Sequence, residues 1–279
     1  MGTKEKKGRV VVITNQKGGV GKTTIARNLG EGLYNNGSSV LLIDFDTQGS
    51  LTLACGIKGY KNLKHEETIA HPFLCMAQGK KGVFPIKNVS EAEGKRLDII
   101  PSNKTLYAVA EVIRGYPEEI KYKALGMIVN KLKPYYDYIL IDTPPTISQL
   151  LQNAIAGSDE CLIVSTAESL SLDGVVESVE TIKDMKEVAD NDIDILGVVV
   201  NDLTPNRAHQ EHVIKQIKEY SEAIGLYVFK TMIPRAVSIE EAMSVGQGIN
   251  EYKYSSNKAK EAFKNLTEEF LQKTETLNI

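Results

Sequence analysis

The sequence is poor in the features that mark several common protein classes. It has three cysteines, Cys55, Cys75 and Cys161. They lie far apart, are odd in number and form no C-x-x-C pair, which argues against a disulfide framework or a zinc ribbon and leaves reduced thiols. No apolar run approaches the ~20 residues that span a bilayer; the longest, such as Val10 to Ile13 and Val198 to Val200, are strand-sized. No apolar stretch of a secretory signal follows the basic start Lys4-Glu5-Lys6-Lys7. Charge of one sign is lacking too. The net charge is −3 with a pI near 5.9, so a nucleic-acid contact has to come from a local basic patch, because counterion release needs clustered Lys and Arg. No linker, repeat or low-complexity tract interrupts the chain, and we expect a single domain over residues 1–279.

What the chain does have is apolar residues, 42% of the total, enough for a sizeable core. They fall in short runs rich in β-branched residues, at 9–14, 39–44, 97–101, 138–142, 161–165, 195–200 and 228–232. The runs are nearly continuous rather than alternating, as in strands covered on both faces. Amphipathic stretches lie between most of them. In 24–35, Ile25, Leu29 and Leu33 recur at helical spacing and Gly37 follows as a stop; 170–188 and 210–224 read alike. Strand and helix in alternation predict an α/β fold, a mostly parallel twisted sheet flanked by helices on both faces. The stretch 56–95 is the least regular and is expected to be an insertion after the second strand. A C-terminal helix is expected at about 256–274, with Ala259, Ala262, Phe263, Leu266 and Phe270 on one face. Its mixed charges favour packing on the sheet over lying on a membrane.

After the first strand comes Gln16-Lys17-Gly18-Gly19-Val20-Gly21-Lys22-Thr23-Thr24 and then a helix. This is the strand–loop–helix setting of a phosphate-binding loop. Glycines let backbone N–H groups turn inward around phosphate oxygens, and the helix N-terminus favours negative charge. Lys22 is placed to reach the β- and γ-phosphates and the Thr23 hydroxyl to ligate Mg²⁺. Gln16 stands where the ordinary pattern G-x-x-x-x-G-K-[ST] begins with Gly, and Lys17 precedes two glycines. The second strand ends in Asp44-Phe45-Asp46, two carboxylates leaving on the same side at the carboxyl edge. The run Tyr138-Ile139-Leu140-Ile141-Asp142 leads into Thr143-Pro144-Pro145, a Walker B pattern in which Asp142 holds Mg²⁺ through water.

The K-G-G-x-G-K-[ST] form is the deviant Walker signature, and the chain resembles the MinD/ParA group of P-loop NTPases, most of all the ParA/Soj partition ATPases. Asp44-Phe45-Asp46-Thr47-Gln48-Gly49 resembles the family's D-x-D-P-Q-G, with Thr47 in place of Pro. Ile100-Pro101-Ser102-Asn103 resembles I-P-[AS]-N. Ile233-Pro234-Arg235 with Glu240-Glu241-Ala242-Met243-Ser244-Val245-Gly246 resembles I-P-R…S-E-A-P-S-x-G. The resemblance implies that Lys17 crosses a dimer interface to the partner's nucleotide, that Asp46 orients the attacking water, and that Asp44 supports the metal and its loop. It puts Pro234 and Arg235 near the adenine, together with Asn201 or Asp202. It implies ATP and Mg²⁺ as cofactors and a homodimer with ATP. It further implies that this dimer binds non-specific DNA and that a centromere-binding ParB-type protein or small adaptor stimulates an otherwise slow hydrolysis. A cytoplasmic, nucleoid-associated protein without membrane contact is expected, of the short kind that lacks an N-terminal helix-turn-helix domain. Ser238 stands where some relatives carry a DNA-contacting arginine.

The candidate DNA contacts are the basic residues of the last third, Arg207, Lys215, Lys218, Lys230, Lys253, Lys258, Lys260 and Lys264, interleaved with almost as many glutamates. His209 and His212, at i and i+3, read as a solvated helix face rather than a metal pair, since no third ligand is evident. A MinD-like membrane-cycling or cargo-positioning ATPase is the alternative. A nitrogenase-iron-protein relative would need two cysteines near the nucleotide switches, and the three present do not fit that pattern.

Overall fold

The computed structural model describes residues 8–204 and 207–276; the basic start at 4–7 lies outside the described residues. Among the described residues, seven strands form one sheet: β1 (Arg9–Thr14), β2 (Val40–Asp44), β3 (Lys87–Ala92), β4 (Lys95–Ile100), β5 (Tyr138–Asp142), β6 (Glu160–Ser165) and β7 (Asp194–Val200), in the order β3-β4-β2-β5-β1-β6-β7. All neighbours are parallel except β3, which pairs antiparallel with β4. The helices are α1 (Lys22–Asn35), α2 (Ser50–Ala54), α3 (Ala70–Ala77), α4 (Tyr107–Arg114), α5 (Glu118–Lys121), α6 (Ala124–Val129), α7 (Gln149–Ala156), α8 (Ser171–Ala189), α9 (Ala208–Ala223), α10 (Val237–Ser244) and α11 (Asn257–Thr276).

The continuous apolar runs become interior strands because both pleat faces are covered. Successive residues point to opposite faces. Val10, Val12, Leu41, Ile43, Ile139 and Ile141 join one core with residues of α3, α4, α6, α7, α8 and α9. Val11, Ile13, Val40, Leu42 and Leu140 join the other with α1, α10 and α11. Helix α11 buries Ala259, Phe263, Leu266 and Phe270 as its periodicity predicts. It crosses α1 where Gly32 faces Thr267, a spot without room for a Cβ. At its far end, the Phe270 ring meets Tyr138 edge-on.

Two segments differ from the sequence reading. Residues 228–232 do not form an eighth strand; only an isolated bridge from Val228 to Val198 is made. The next amides explain why. Lys230 and Thr231 N–H donate to the Glu269 carboxylate of α11, at 2.7 and 2.9 Å, instead of extending a ladder. The stretch 56–95 carries α3 and the edge strand β3, a hairpin arm onto β4. Among the described residues, no helix is long and apolar enough to cross a membrane.

Candidate active site

The carboxyl ends of β1, β2 and β5 open on one edge of the sheet, and the loop 15–21 leaves β1 there. Gly21 caps α1 in the left-handed region (φ +92), and a Cβ on it would collide with the Asn201 amide. That amide donates to the Val20 carbonyl at 2.9 Å, so the residue after β7 locks the back of the loop. Lys22, the first residue of α1, is buried, and its Nζ donates to the Asn15 carbonyl at 3.0 Å and more weakly to that of Lys17. Burial pulls the Lys22 amine below its ordinary pKa, with the charges of Asp142 and Asp46 opposing. Lys17 is only partly covered, and its Nζ rests on the Ser169 carbonyl at 2.9 Å. Gly18 and Gly19 are exposed. Thr24 turns from α1 toward a neighbouring cavity.

Asp44 and Asp142 end the adjacent strands β2 and β5 in register. Burial pushes the Asp142 carboxyl up to about 8, with the Asp44 charge adding to it. Burial likewise pushes Asp44 up to about 6, held back by hydrogen bonds from Thr52. The Asp44 oxygens are engaged. Oδ2 accepts from the Thr52 amide and hydroxyl, each at 2.7 Å, and Oδ1 from the Asp46 amide at 3.2 Å. Asp142 is different. Its Oδ2 accepts from the Thr23 hydroxyl at 2.6 Å, while its Oδ1 is buried with no hydrogen-bond partner. An unpartnered buried carboxylate oxygen beside a hydroxyl is the donor set of a hard cation that completes its shell with phosphate and water. No group of three or more His, Cys, Asp or Glu is arranged to hold a metal among the described residues. The Thr23 hydroxyl and the unpartnered Asp142 oxygen fit a Mg²⁺–phosphate pair, and His209 faces the Ser169 hydroxyl at 3.2 Å. Asp46 is half-buried at the mouth, and its Oδ1 accepts from the Gln48 amide at 3.0 Å.

Beside the loop lies a cavity of about 170 Å³ lined by Gly19, Gly21, Thr24, Asn201, Asp202, Pro234, Ala236, Ile239 and Glu240. Both residues offered for the base, Asn201 and Asp202, border it, and Arg235 stands 3.8 Å from Asp202 across its rim. The Leu203 amide bonds to the Ile233 carbonyl and the Arg235 amide to the Leu203 carbonyl, which brings the two distant segments together. Sequence reasoning missed Asn15, Thr52 and the α10 residues Ile239 and Glu240. A polar residue closing an apolar strand (Asn15), or standing inside Leu51-Thr52-Leu53-Ala54, was the available signal for the first two.

The basic residues of the last third do not converge. Helix α9 packs in one core layer and α11 in the other. Arg207 caps α9, and Lys215 and Lys218 are exposed along it, Lys215 3.5 Å from Glu219. Lys230 and Lys258 share one concavity with Glu261, while Lys260 and Lys264 line another beside Asn35 and Asn36. Lys264 stands 3.9 Å from Glu268, and the Lys253 amine lies over the Tyr254 ring. Ser238, by contrast, is buried and accepts from the Ser256 amide.

Known proteins resemble this chain in sequence and in fold. The family model described as AAA domain matches residues 8–195. The sporulation initiation inhibitor protein Soj of Bacillus subtilis is 33% identical over 243 residues, covering 87% of this chain and 90% of Soj. A plasmid partition protein from Borrelia burgdorferi bound to AMPPNP superposes with a TM-score of 0.70 at 27% identity, covering 96% of this chain and 100% of that one. Cobyrinic acid a,c-diamide synthase from Mycobacterium smegmatis, with bound ATP analog and magnesium, superposes with a TM-score of 0.68 at 26% identity, covering 86% and 91%.

Proposed function

The chain belongs to the ParA/Soj family of P-loop ATPases, and from that premise we propose that it is a partition ATPase working as a nucleotide switch. Its cofactors are ATP and Mg²⁺. The observation that carries the reading is the meeting of Lys22, Thr23 and Asp142 at one sheet edge, with a buried, unpartnered Asp142 oxygen there and a partly covered second lysine, Lys17, on the same loop.

In this reading the amides of 18–24 and the Lys22 amine bind the phosphates. Thr23 and Asp142 would hold Mg²⁺, which when bound would offset the negative charge of the phosphates, and Asp44 supports that arrangement through Thr52 and the Asp46 loop. Asp46 orients the water that attacks the γ-phosphorus. Lys17 reaches across a face-to-face homodimer to the partner's nucleotide and adds positive charge where negative charge builds. Asn201 shapes the loop from behind, and Pro234 and Arg235 border the adenine. The whole chain acts as one ATPase unit, in the cytoplasm on the nucleoid. Its ATP-bound dimer holds DNA through phosphate contacts drawn from the basic residues of α9, α11 and the segments before them. A centromere-binding ParB-type protein, or a small adaptor in its place, stimulates a weak Mg²⁺-dependent hydrolysis and so releases the DNA. The partition names carried by the relatives support this choice over membrane cycling.

The test is a salt titration of DNA binding by the Asp46→Ala protein with ATP, ADP or no nucleotide. Binding only with ATP, indifferent to sequence, and falling with a log–log slope of about −0.9 per phosphate contacted, is the expected result. Equal binding in all three states removes the switch, and binding to anionic vesicles in place of DNA reverses the choice.

A further inference from the structure

The two lysines of the phosphate loop are held by different parts of the molecule. Lys22 is gripped by carbonyls of the loop itself. Lys17 is surrounded by the unit formed by β6, the turn after it and α8. Its amide donates to Asn15 Oδ1 at 2.7 Å, and the Asn15 amide group donates to the Val164 carbonyl of β6 at 2.8 Å. Its amine rests on the Ser169 carbonyl. Gly174 of α8 leaves space there that a Cβ would close, 3.0 Å from Asn15 Oδ1 and 3.6 Å from the Lys17 Cβ. Between Asn15 and Lys17 stands Gln16, in the place an ordinary P-loop gives to glycine. Its Nε2 donates to the Glu177 carbonyl at 2.9 Å and to the Thr181 hydroxyl at 2.5 Å, both in the middle of α8. The turn that opens α8 is itself strained: Leu170 sits at φ +64 with its side chain exposed, a conformation costly for a bulky residue.

We propose that Gln16 is a positioning residue for Lys17, a tether that fixes the outer half of the phosphate loop to α8 and so sets the direction in which Lys17 leaves the molecule. The argument is geometric. A glycine here would leave the outer half of the loop held to the β6–α8 unit only through Asn15 and the Lys17 amine. The glutamine amide spans to a helix whose neighbouring turn already carries the acceptor on which the Lys17 amine rests. Lys17 thus starts from a defined place on the β6–α8 unit, and any shift of α8 is passed to it without passing through Lys22. The inference rests on the reading of Lys17 as the residue that acts across the dimer.

The experiment compares Gln16→Ala, Thr181→Val and the double variant, each in the Asp46→Ala background, with Lys17→Ala as reference. Nucleotide affinity of the monomer is measured with a fluorescent ATP analogue, and ATP-dependent dimerisation by light scattering. Thr181 is remote from the nucleotide, so Thr181→Val is expected to bind nucleotide as the parent does yet dimerise about fivefold to tenfold more weakly, the worth of one hydrogen bond. Gln16→Ala should lose at least as much, and the double variant no more than Gln16→Ala, because both changes cut one tether. In mixed dimers with Asp46 intact, a Lys22→Ala chain that also carries Gln16→Ala should lower turnover at its partner's working site, whereas Gln16→Ala on the chain that keeps Lys22 should leave turnover there unchanged. Dimerisation unchanged by Thr181→Val and Gln16→Ala, additive losses in the double variant, or a parallel fall in nucleotide affinity overturns the tether. If Lys17→Ala itself dimerises like the parent, the dimer reading beneath the tether fails instead.

Discussion

The nucleotide edge and the basic surface of the last third are built on opposite plans. At the edge, Asp44 and Asp142 end β2 and β5 while Lys22 and Thr23 open α1; the Thr23 hydroxyl donates to Asp142, Lys22, Asp44 and Asp142 are buried, and Asp142 feels the charges of both Lys22 and Asp44. Across α9 and α11 Lys215, Lys218, Lys258 and Lys264 are exposed, spread over both layers, and balanced by nearby glutamates. Catalysis needs charge fixed in a low-dielectric place, where one group matters greatly. Phosphate contacts need only number, so no one residue of that surface should matter much. Single changes should therefore be severe at the edge and slight on the surface.

The largest effect is expected from Lys22→Ala. Removing the buried cation should lower ATP turnover by about 100- to 1,000-fold, measured as phosphate release with saturating Mg²⁺. Full activity would break the assignment of the edge. Asp46→Ala comes next. The group lies at the mouth and is not part of the buried cluster, so ATP should still bind while hydrolysis falls about 100-fold or more, and light scattering should find an ATP-bound dimer. A monomer with ATP, or normal turnover, would remove Asp46 from its role.

Asp142→Asn sharpens the comparison through stability. The folded-state pKa of Asp142 is raised to about 8, above the roughly 3.9 of an unfolded aspartate. Between those values the folded protein binds the extra proton, so its contribution to stability is largest at low pH and is lost as pH rises toward 8. The Asn variant should therefore melt a few degrees higher than the parent at pH 8 without Mg²⁺, keep less of that gain near pH 5, and lose the stabilisation that Mg-ATP gives. A lower melting point at pH 8 would mean the charge is already well compensated. The smallest effects belong to the surface. Removing the charges of Lys258, Lys260 and Lys264 should lower affinity for all DNA sequences alike and flatten the salt slope by about 0.9 for each phosphate no longer neutralised. Arg207, Lys215 and Lys218 should be changed in parallel. Because the two sets lie on different layers, the pair of titrations tells which layer faces DNA, and ATP hydrolysis without DNA should stay as in the parent.

Much of the edge was legible in the chain because its information is local. Gly21-Lys22-Thr23 and the acidic strand ends occupy fixed offsets from apolar runs, and a parallel sheet brings those ends to one side by its own construction. The edge strand β3 was not legible, since its residues Lys87–Ala92 alternate weakly and gain their pairing from β4. Nor was the failure at 228–232, where a propensity for strand yielded to one carboxylate, Glu269, nearly forty residues on.

Backbone geometry and apolar periodicity act over a few residues, so the order of amino acids was enough to set the strand–helix alternation, the loop and the carboxylates that serve it. Packing set the rest. It closed Asn201 on Val20, put Pro234 beside Asp202, bound Gln16 to Thr181, and divided the basic residues between two layers. Each of these relates segments far apart in the chain, and such relations depend on how helices pack on the sheet, which no local pattern encodes.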